Sequence, residues 1–387
     1  MSVNAVVFLG MVYPGGIIRH LALLGIELGK IEHEYDYYFA SIMREPDRNA
    51  WALVHAALPK HLIMKVKTFD EVVKACDTLF TRYERVLIHC GGGWGQTRAF
   101  IPLRRKYGHR LVLVGTTHSY HLDSWIRVPM SVFQCILYLR YYDKIIFQCQ
   151  YAVDMFWGSH LLFLKKKGIV IPLGCELFDT PSESIPPVIA GKEDLRDVLE
   201  DQQLFKFVYL AGFRPGKKHV WLVYAIAPIL KKHPEVRVLF CGTGNETVIR
   251  QIQVVIKRLG LQKQILMTGQ IPRVEIPWLL LHADCAVVPS RAETFGHNFL
   301  EPMFAGLPVL GTRVGIGRDL IHDGLTGYGF DLKNVQSLRC GAEQLLACRE
   351  RVKEMGKRAK RIVEKDFTHA VVARQLNTLY HELLLNR

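Results

Sequence analysis

Short β-branched apolar runs alternate along this chain with longer stretches whose apolar residues recur at helical spacing. That alternation predicts α/β domains with parallel sheets. In the first half the clearest strands are predicted at 5–9, 85–89, 110–115 and 144–147. A second alternation begins at 206–210 and continues through 236–241, 264–267, 285–288 and 308–311. Helical patterns lie between, for example at 219–232 and 247–259. The segment 180–192, TPSESIPPVIAGK, is rich in Pro and Ser and lacks periodicity, as a linker should. The chain ends in an amphipathic stretch at 368–385. Three parts are therefore expected: an α/β domain over 1–185, a second over 186–367, and a helix within 368–387 that packs back on the first.

Length agrees, since 387 residues suit two domains of roughly 180 each. With 49% hydrophobic and 22% charged residues the chain is a folded protein. Nine scattered cysteines include no CxxC pair, so neither a zinc site nor a disulfide framework is indicated and a reducing cytosol fits best. The N-terminus, MSVNAVVFLGMVYPGG, lacks the basic region of a signal peptide, and no stretch approaches the ~20 apolar residues that span a bilayer. A cytoplasmic protein is the expectation. The net charge of +14 favours anionic partners such as nucleotides or acidic lipid surfaces. It is spread over both halves in short clusters with no nucleic-acid-binding motif, so no nucleic-acid partner is expected. The stretch 126–140 reads first as a buried core helix. Its alternative is a membrane-facing amphipathic patch, with Arg104, Arg105 and Lys106 supplying charge for a peripheral contact.

The strongest chemical signal follows the predicted strand at 285–288. There Glu293, an FG turn (Phe295 and Gly296), His297, Asn298 and Glu301 succeed one another at the carboxyl end of a parallel strand, where ligands bind in open α/β sheets. The turn exposes backbone amides to anionic or hydroxyl oxygens, and a helix starts after it. The two carboxylates can then face opposite ends of an extended ligand. An alternative is structural: Asn298-x-x-Glu301 also fits a capping box.

The segment ETFGHNFLEPMFAGLPVLGT resembles the E-x7-E block of retaining glycosyltransferase family 4, whose fold, GT-B, sets two Rossmann-like domains with parallel sheets about an interdomain cleft. The match continues in order through Val314-Gly315 and Asp323-Gly324-Leu325-Thr326-Gly327. The resemblance implies an enzyme that transfers a sugar from a nucleotide-diphosphate sugar, with its anomeric configuration retained, to a glycan, lipid-linked or small-molecule acceptor. It assigns Glu293 to the donor sugar's hydroxyls and the positive charge developing at the anomeric carbon. Backbone amides around Phe295, Gly296, His297 and Asn298 would hold the sugar or diphosphate, and Glu301 the ribose hydroxyls.

Cations to neutralise the leaving diphosphate are sought in Ala211-Gly212-Phe213-Arg214-Pro215-Gly216-Lys217-Lys218-His219. This chain departs from the family pattern: Phe213 stands at the usual arginine, Arg214 follows it, and His219 replaces a glycine. Arg214 and Lys218 are expected to carry the charge, with Lys217 as substitute for either. Gly15 and Gly16 match a family loop close to the diphosphate, where glycine lets backbone approach a phosphate. His118 follows the predicted strand at 110–115 and matches a family histidine near the transferred sugar; His121 stands close by. The run Gly91-Gly92-Gly93-Trp94-Gly95-Gln96-Thr97 is no P-loop, because Gln96 stands where lysine is needed. Gly242-Thr243-Gly244 and Thr268-Gly269-Gln270-Ile271 resemble loops that flank the base. No acidic metal motif stands out, so metal-independent transfer without a cofactor is expected, cations doing the electrostatic work. The rival readings are a sugar- or nucleotide-binding module with a degraded site, a basic nucleic-acid-binding protein, and a phosphorylase.

Overall fold

A computed structural model describes residues 3–10, 17–32, 34–42, 48–66, 68–91, 93–117, 128–176 and 185–385. The chain divides into two compact units, one formed by 1–176 together with 366–387 and the other by 177–365.

The first unit carries strands β1 (Asn4–Gly10), β2 (Asp36–Ile42), β3 (Ile63–Val66), β4 (Arg85–Gly91), β5 (Leu111–Thr116), β6 (Lys144–Phe147) and β7 (Gly168–Val170). They form one parallel sheet in the order β3-β2-β1-β4-β5-β6-β7. Every residue of β4 and β5 is buried, as expected of central parallel strands covered on both faces. Asp143, just before β6, is buried and shared between Arg104 (3.0 and 3.1 Å) and the Leu113 amide (2.9 Å).

The last helix, His369–Leu385, belongs to this unit. Its buried face, with Val372, Ala373, Leu376, Leu379, Tyr380 and Leu384, joins the core formed by Leu21, Leu24 and Leu28 of helix Ile17–Lys30 and by Phe8 and Leu87. Two polar devices fix it. Arg85, buried, donates to the carbonyls of Leu383 (2.9 Å) and Leu384, which a helix C-terminus leaves without intrahelical partners. His89 bridges the Tyr380 hydroxyl and Thr116 Oγ1, the latter at 2.6 Å.

Helix Val128–Tyr141 corrects the reading of a wholly buried core element. It buries Cys135, Leu137 and Tyr138 but exposes Met130, Phe133 and Ile136. Of the cations named above, Arg104 serves Asp143 and Lys106 pairs with Asp77 at 2.9 Å, while Arg105 is exposed.

The second unit carries β8 (Phe205–Leu210), β9 (Val236–Cys241), β10 (Ile265–Gly269), β11 (Cys285–Val288), β12 (Val309–Thr312) and β13 (Gly327–Phe330). They too are all parallel, in the order β10-β9-β8-β11-β12-β13. The order reverses between β8 and β11, which are neighbours (Cys285 beside Phe207, Ala286 beside Val208). Loops leaving the two carboxyl ends therefore diverge and leave a crevice. Among the described residues no helix is long and apolar enough to cross a membrane.

The buried seam predicts that Leu376→Ala costs about 2–5 kcal/mol. Urea unfolding should show the loss in the transition of the first unit, leaving that of the second in place.

Candidate active site

Both loops that meet at the strand-order reversal carry charge, and the backbone stitches them together. The loop after β11 donates its Arg291 amide to the Gly216 carbonyl of the loop after β8 (2.9 Å). Beneath it the Tyr209 hydroxyl donates to the Lys217 carbonyl (3.0 Å) and lies 3.1 Å from Ser290 Oγ. Over this seam the Lys217 ammonium contacts Glu293 Oε1, which also accepts from Asn298 Nδ2 at 3.1 Å. Glu293 is thus a largely buried carboxylate with two donors.

The acid loop is shaped from below by the loop after β12. The Ile316 amide donates to the Phe295 carbonyl (2.6 Å), and a Cβ on Gly315 would stand 2.3 Å from that carbonyl oxygen and 2.8 Å from Glu293 Cβ. Any side chain at 315 would push the acid loop aside, and the backbone there is left-handed (φ +56°).

Helix His297–Phe304 begins where the loop ends, capped by Gly296 at φ +104° with no side-chain cap. The capping-box alternative therefore does not hold: Asn298 lies inside the helix and its amide reaches Glu293 instead. The helix begins at His297, so its first amides face the loop that carries Glu293. Phe295 is buried against the His297 ring (5.3 Å between centroids, 71° between planes). One turn on, Glu301 is buried and its Oε1 accepts from Arg273 Nη1 at 2.8 Å. Arg273 was not foreseen; the Thr268-Gly269-Gln270-Ile271 loop, which it follows closely, was the only pointer to it.

Phe213 and His219 turn out to be one feature. Phe213 is buried with its ring edge-on to His219 (4.7 Å, 71°), and His219 also packs on Tyr209 (4.6 Å) and Phe240 (5.2 Å). Two departures from the family pattern thus fill one hole beneath the basic loop. Burial pushes the His219 imidazole down to about 3, with the Lys217 charge adding to the effect, so the ring is neutral. The Gly244 backbone bridges to Phe213 and braces the same turn from the β9 side.

Of the cations named from sequence, the structure brings Lys217 to Glu293. Arg214 is exposed and makes no ion pair with a described carboxylate, and Lys218, left-handed at the start of helix His219–Lys232, turns into an open cavity of about 820 Å³ beside Trp221, Ser290 and Arg291. Gly15, Gly16, His118 and His121 lie outside the described residues. Gln96 and Thr97 are buried, and Thr97 Oγ1 is 2.9 Å from the Tyr142 hydroxyl, so that turn is built into the first unit's core.

Comparison with known proteins adds to this geometry. Residues 191–362, nearly all of the second unit, match the family model described as glycosyl transferases group 1. The N-acetyl-alpha-D-glucosaminyl L-malate synthase of Bacillus anthracis is 30% identical over 179 residues, covering 46% of this chain and 45% of that one. The putative glycosyltransferase EpsD of Bacillus subtilis is 24% identical over 324 residues, 81% of this chain and 79% of its own. The malate synthase and several further curated relatives are each matched over less than half their own length. Among solved structures, Anabaena HepE in complex with UDP superimposes with a TM-score of 0.74 at 19% identity, covering 99% of this chain and 100% of that one. The fold is that of GT-B glycosyltransferases. Within that fold the second unit carries the match to glycosyl transferases group 1.

The neutral, buried His219 carries a pH signature. Its folded-state pKa lies below the unfolded value near 6.5, so its contribution to stability is intact above that value and is lost as pH falls toward 3. His219→Phe should flatten the fall in unfolding free energy of the second unit between pH 7 and 5, measured by urea unfolding, by at most about 1.4 kcal/mol per pH unit.

Proposed function

We propose that the protein transfers a sugar from a nucleoside-diphosphate sugar to an acceptor hydroxyl with retention of anomeric configuration. The observation that carries this reading is Glu293, held by Lys217 and Asn298 at the carboxyl end of β11, with Glu301 one helical turn further on. A carboxylate at each end of a helix start suits a ligand with a sugar at one end, a ribose at the other and a diphosphate between. HepE, which shares the fold, has been solved with UDP and with UDP-glucose, so a uridine diphosphate sugar is the first donor to test.

In the reaction the bond between the anomeric carbon and the diphosphate oxygen breaks, and its electron pair leaves with the diphosphate. The acceptor oxygen bonds to the same carbon from the same face, and its proton passes to a donor phosphate oxygen. Glu293 takes sugar hydroxyls and steadies the positive charge at the anomeric carbon. Backbone amides from Phe295 to Asn298 hold the sugar or diphosphate, and Glu301, oriented by Arg273, accepts from the ribose hydroxyls. Lys217, Arg214 and Lys218 neutralise the leaving group, so no metal ion or cofactor is required. Gly15 and Gly16 join the groups assigned to the diphosphate, and His118 is the further catalytic group, near the transferred sugar or the acceptor. The acceptor is a glycan, a lipid-linked carrier or a small hydroxyl compound, and a lipid-linked one would bring the enzyme to a membrane. Free, mostly buried cysteines support a reducing, cytoplasmic setting. The packed pair of Phe213 and His219 speaks against a degraded site, since Arg214 stands directly beside it.

Glu293→Gln should lower transfer, or donor hydrolysis, about 100- to 1,000-fold while leaving UDP-induced thermal stabilisation in place. Glu301→Ala should weaken UDP binding at least about tenfold, because it removes charge-assisted hydrogen bonds. Failure of a panel of nucleotides and nucleotide sugars to stabilise or react with the parent protein would overturn the proposal.

A further inference from the structure

The first unit presents an apolar face that its own core does not use. Along helix Val128–Tyr141 the side chains of Met130, Phe133 and Ile136 are 64%, 46% and 55% exposed. Helix Ser159–Leu164 packs against it, and next to that contact Trp157 (49%) and Leu164 (76%) are exposed as well. Cys135 Sγ, 3.6 Å from the Gly158 carbonyl, joins the two segments. Large apolar side chains gathered in this way mark a surface that meets something other than water.

The charge around the face says what. Lys167 donates to the carbonyls of Leu139 (2.8 Å) and Tyr142 (2.6 Å), and Lys144 to that of Lys166 (2.7 Å), so both ammonium groups are spent on backbone. Arg140, Lys165 and Lys166 remain exposed at its margin. Between 128 and 170 the acids are Asp143, buried on Arg104, and Asp154. The margin is therefore cationic. Lysine is depleted at protein–protein interfaces, and a second copy would bring its own charge of +14 against this one. An anionic bilayer fits both properties: apolar side chains enter the headgroup boundary, tryptophan is at home there, and exposed lysines meet acidic headgroups.

We propose that this face, built from helix Val128–Tyr141 and the segment from Trp157 to Lys166, docks the protein on an anionic membrane surface. The contact is interfacial and uses side chains of the first unit alone, so it stands whether or not Glu293 is catalytic.

Sedimentation of the full chain with phosphatidylglycerol vesicles, and in parallel with phosphatidylcholine vesicles, tests it. Binding to the first should exceed binding to the second at least tenfold and fall with salt. Two double variants, M130S/I136S and K165E/K166E, should each reduce binding to phosphatidylglycerol at least about tenfold with unchanged melting temperature, whereas Glu293→Gln should bind as the parent does. Three results would overturn the proposal: parent protein left in the supernatant with both lipids, M130S/I136S bound as well as the parent through general positive charge, or a parent dimer by light scattering that M130S/I136S turns into monomer.

Discussion

One backbone hydrogen bond, from the Arg291 amide to the Gly216 carbonyl, holds the chemistry of the second unit in place. Loops that leave neighbouring parallel strands toward opposite sides at a reversal of order have no reason to touch. Here that bond, with Tyr209 reaching both Lys217 and Ser290, draws the basic loop over the acid one. Lys217 can then meet Glu293, and the close fit at Gly315 keeps the carboxylate from retreating. The ion pair is partly shielded from water, so its partners are worth more to each other than surface charges are. In the proposed reaction the donor's diphosphate would compete for Lys217 and leave Glu293 to the sugar hydroxyls.

How much of this was legible in the sequence depends on burial. Strands covered on both faces, such as β5, β9 and β11, are almost unbroken apolar runs and stand out along the chain. Of the four edge strands, β10 opens on an apolar run and stands out, whereas β3, β7 and β13 do not, because they are short and only partly buried, and β13 carries two glycines. β2, with sequence DYYFASI, opens on a charge and relies on tyrosines whose hydroxyls mask an apolar run.

In the site, the acid loop could be read because its residues are contiguous and a local turn sets them. Lys217 could not be singled out from Lys218 by spacing, since the choice turns on which residue adopts the left-handed conformation at the start of helix His219–Lys232, and that residue is Lys218. Arg273 and Glu301 are 28 positions apart and meet only through the fold. The same holds for Phe213 and His219, which look like two defects until their rings are seen in contact.

The return of the last helix to the first unit has a consequence for biogenesis. The Cys175 amide donates to the Phe367 carbonyl (2.8 Å), so the outgoing and incoming strands of chain run side by side where the first unit is left and regained. During translation the segment that completes this unit emerges only after the whole of the second unit. A nascent chain must therefore carry an unfinished amino-terminal half, its helix Ile17–Lys30 uncovered, while the inserted half is already able to fold. Chaperones that shelter exposed apolar surface would have their longest task on the segment made before the second unit.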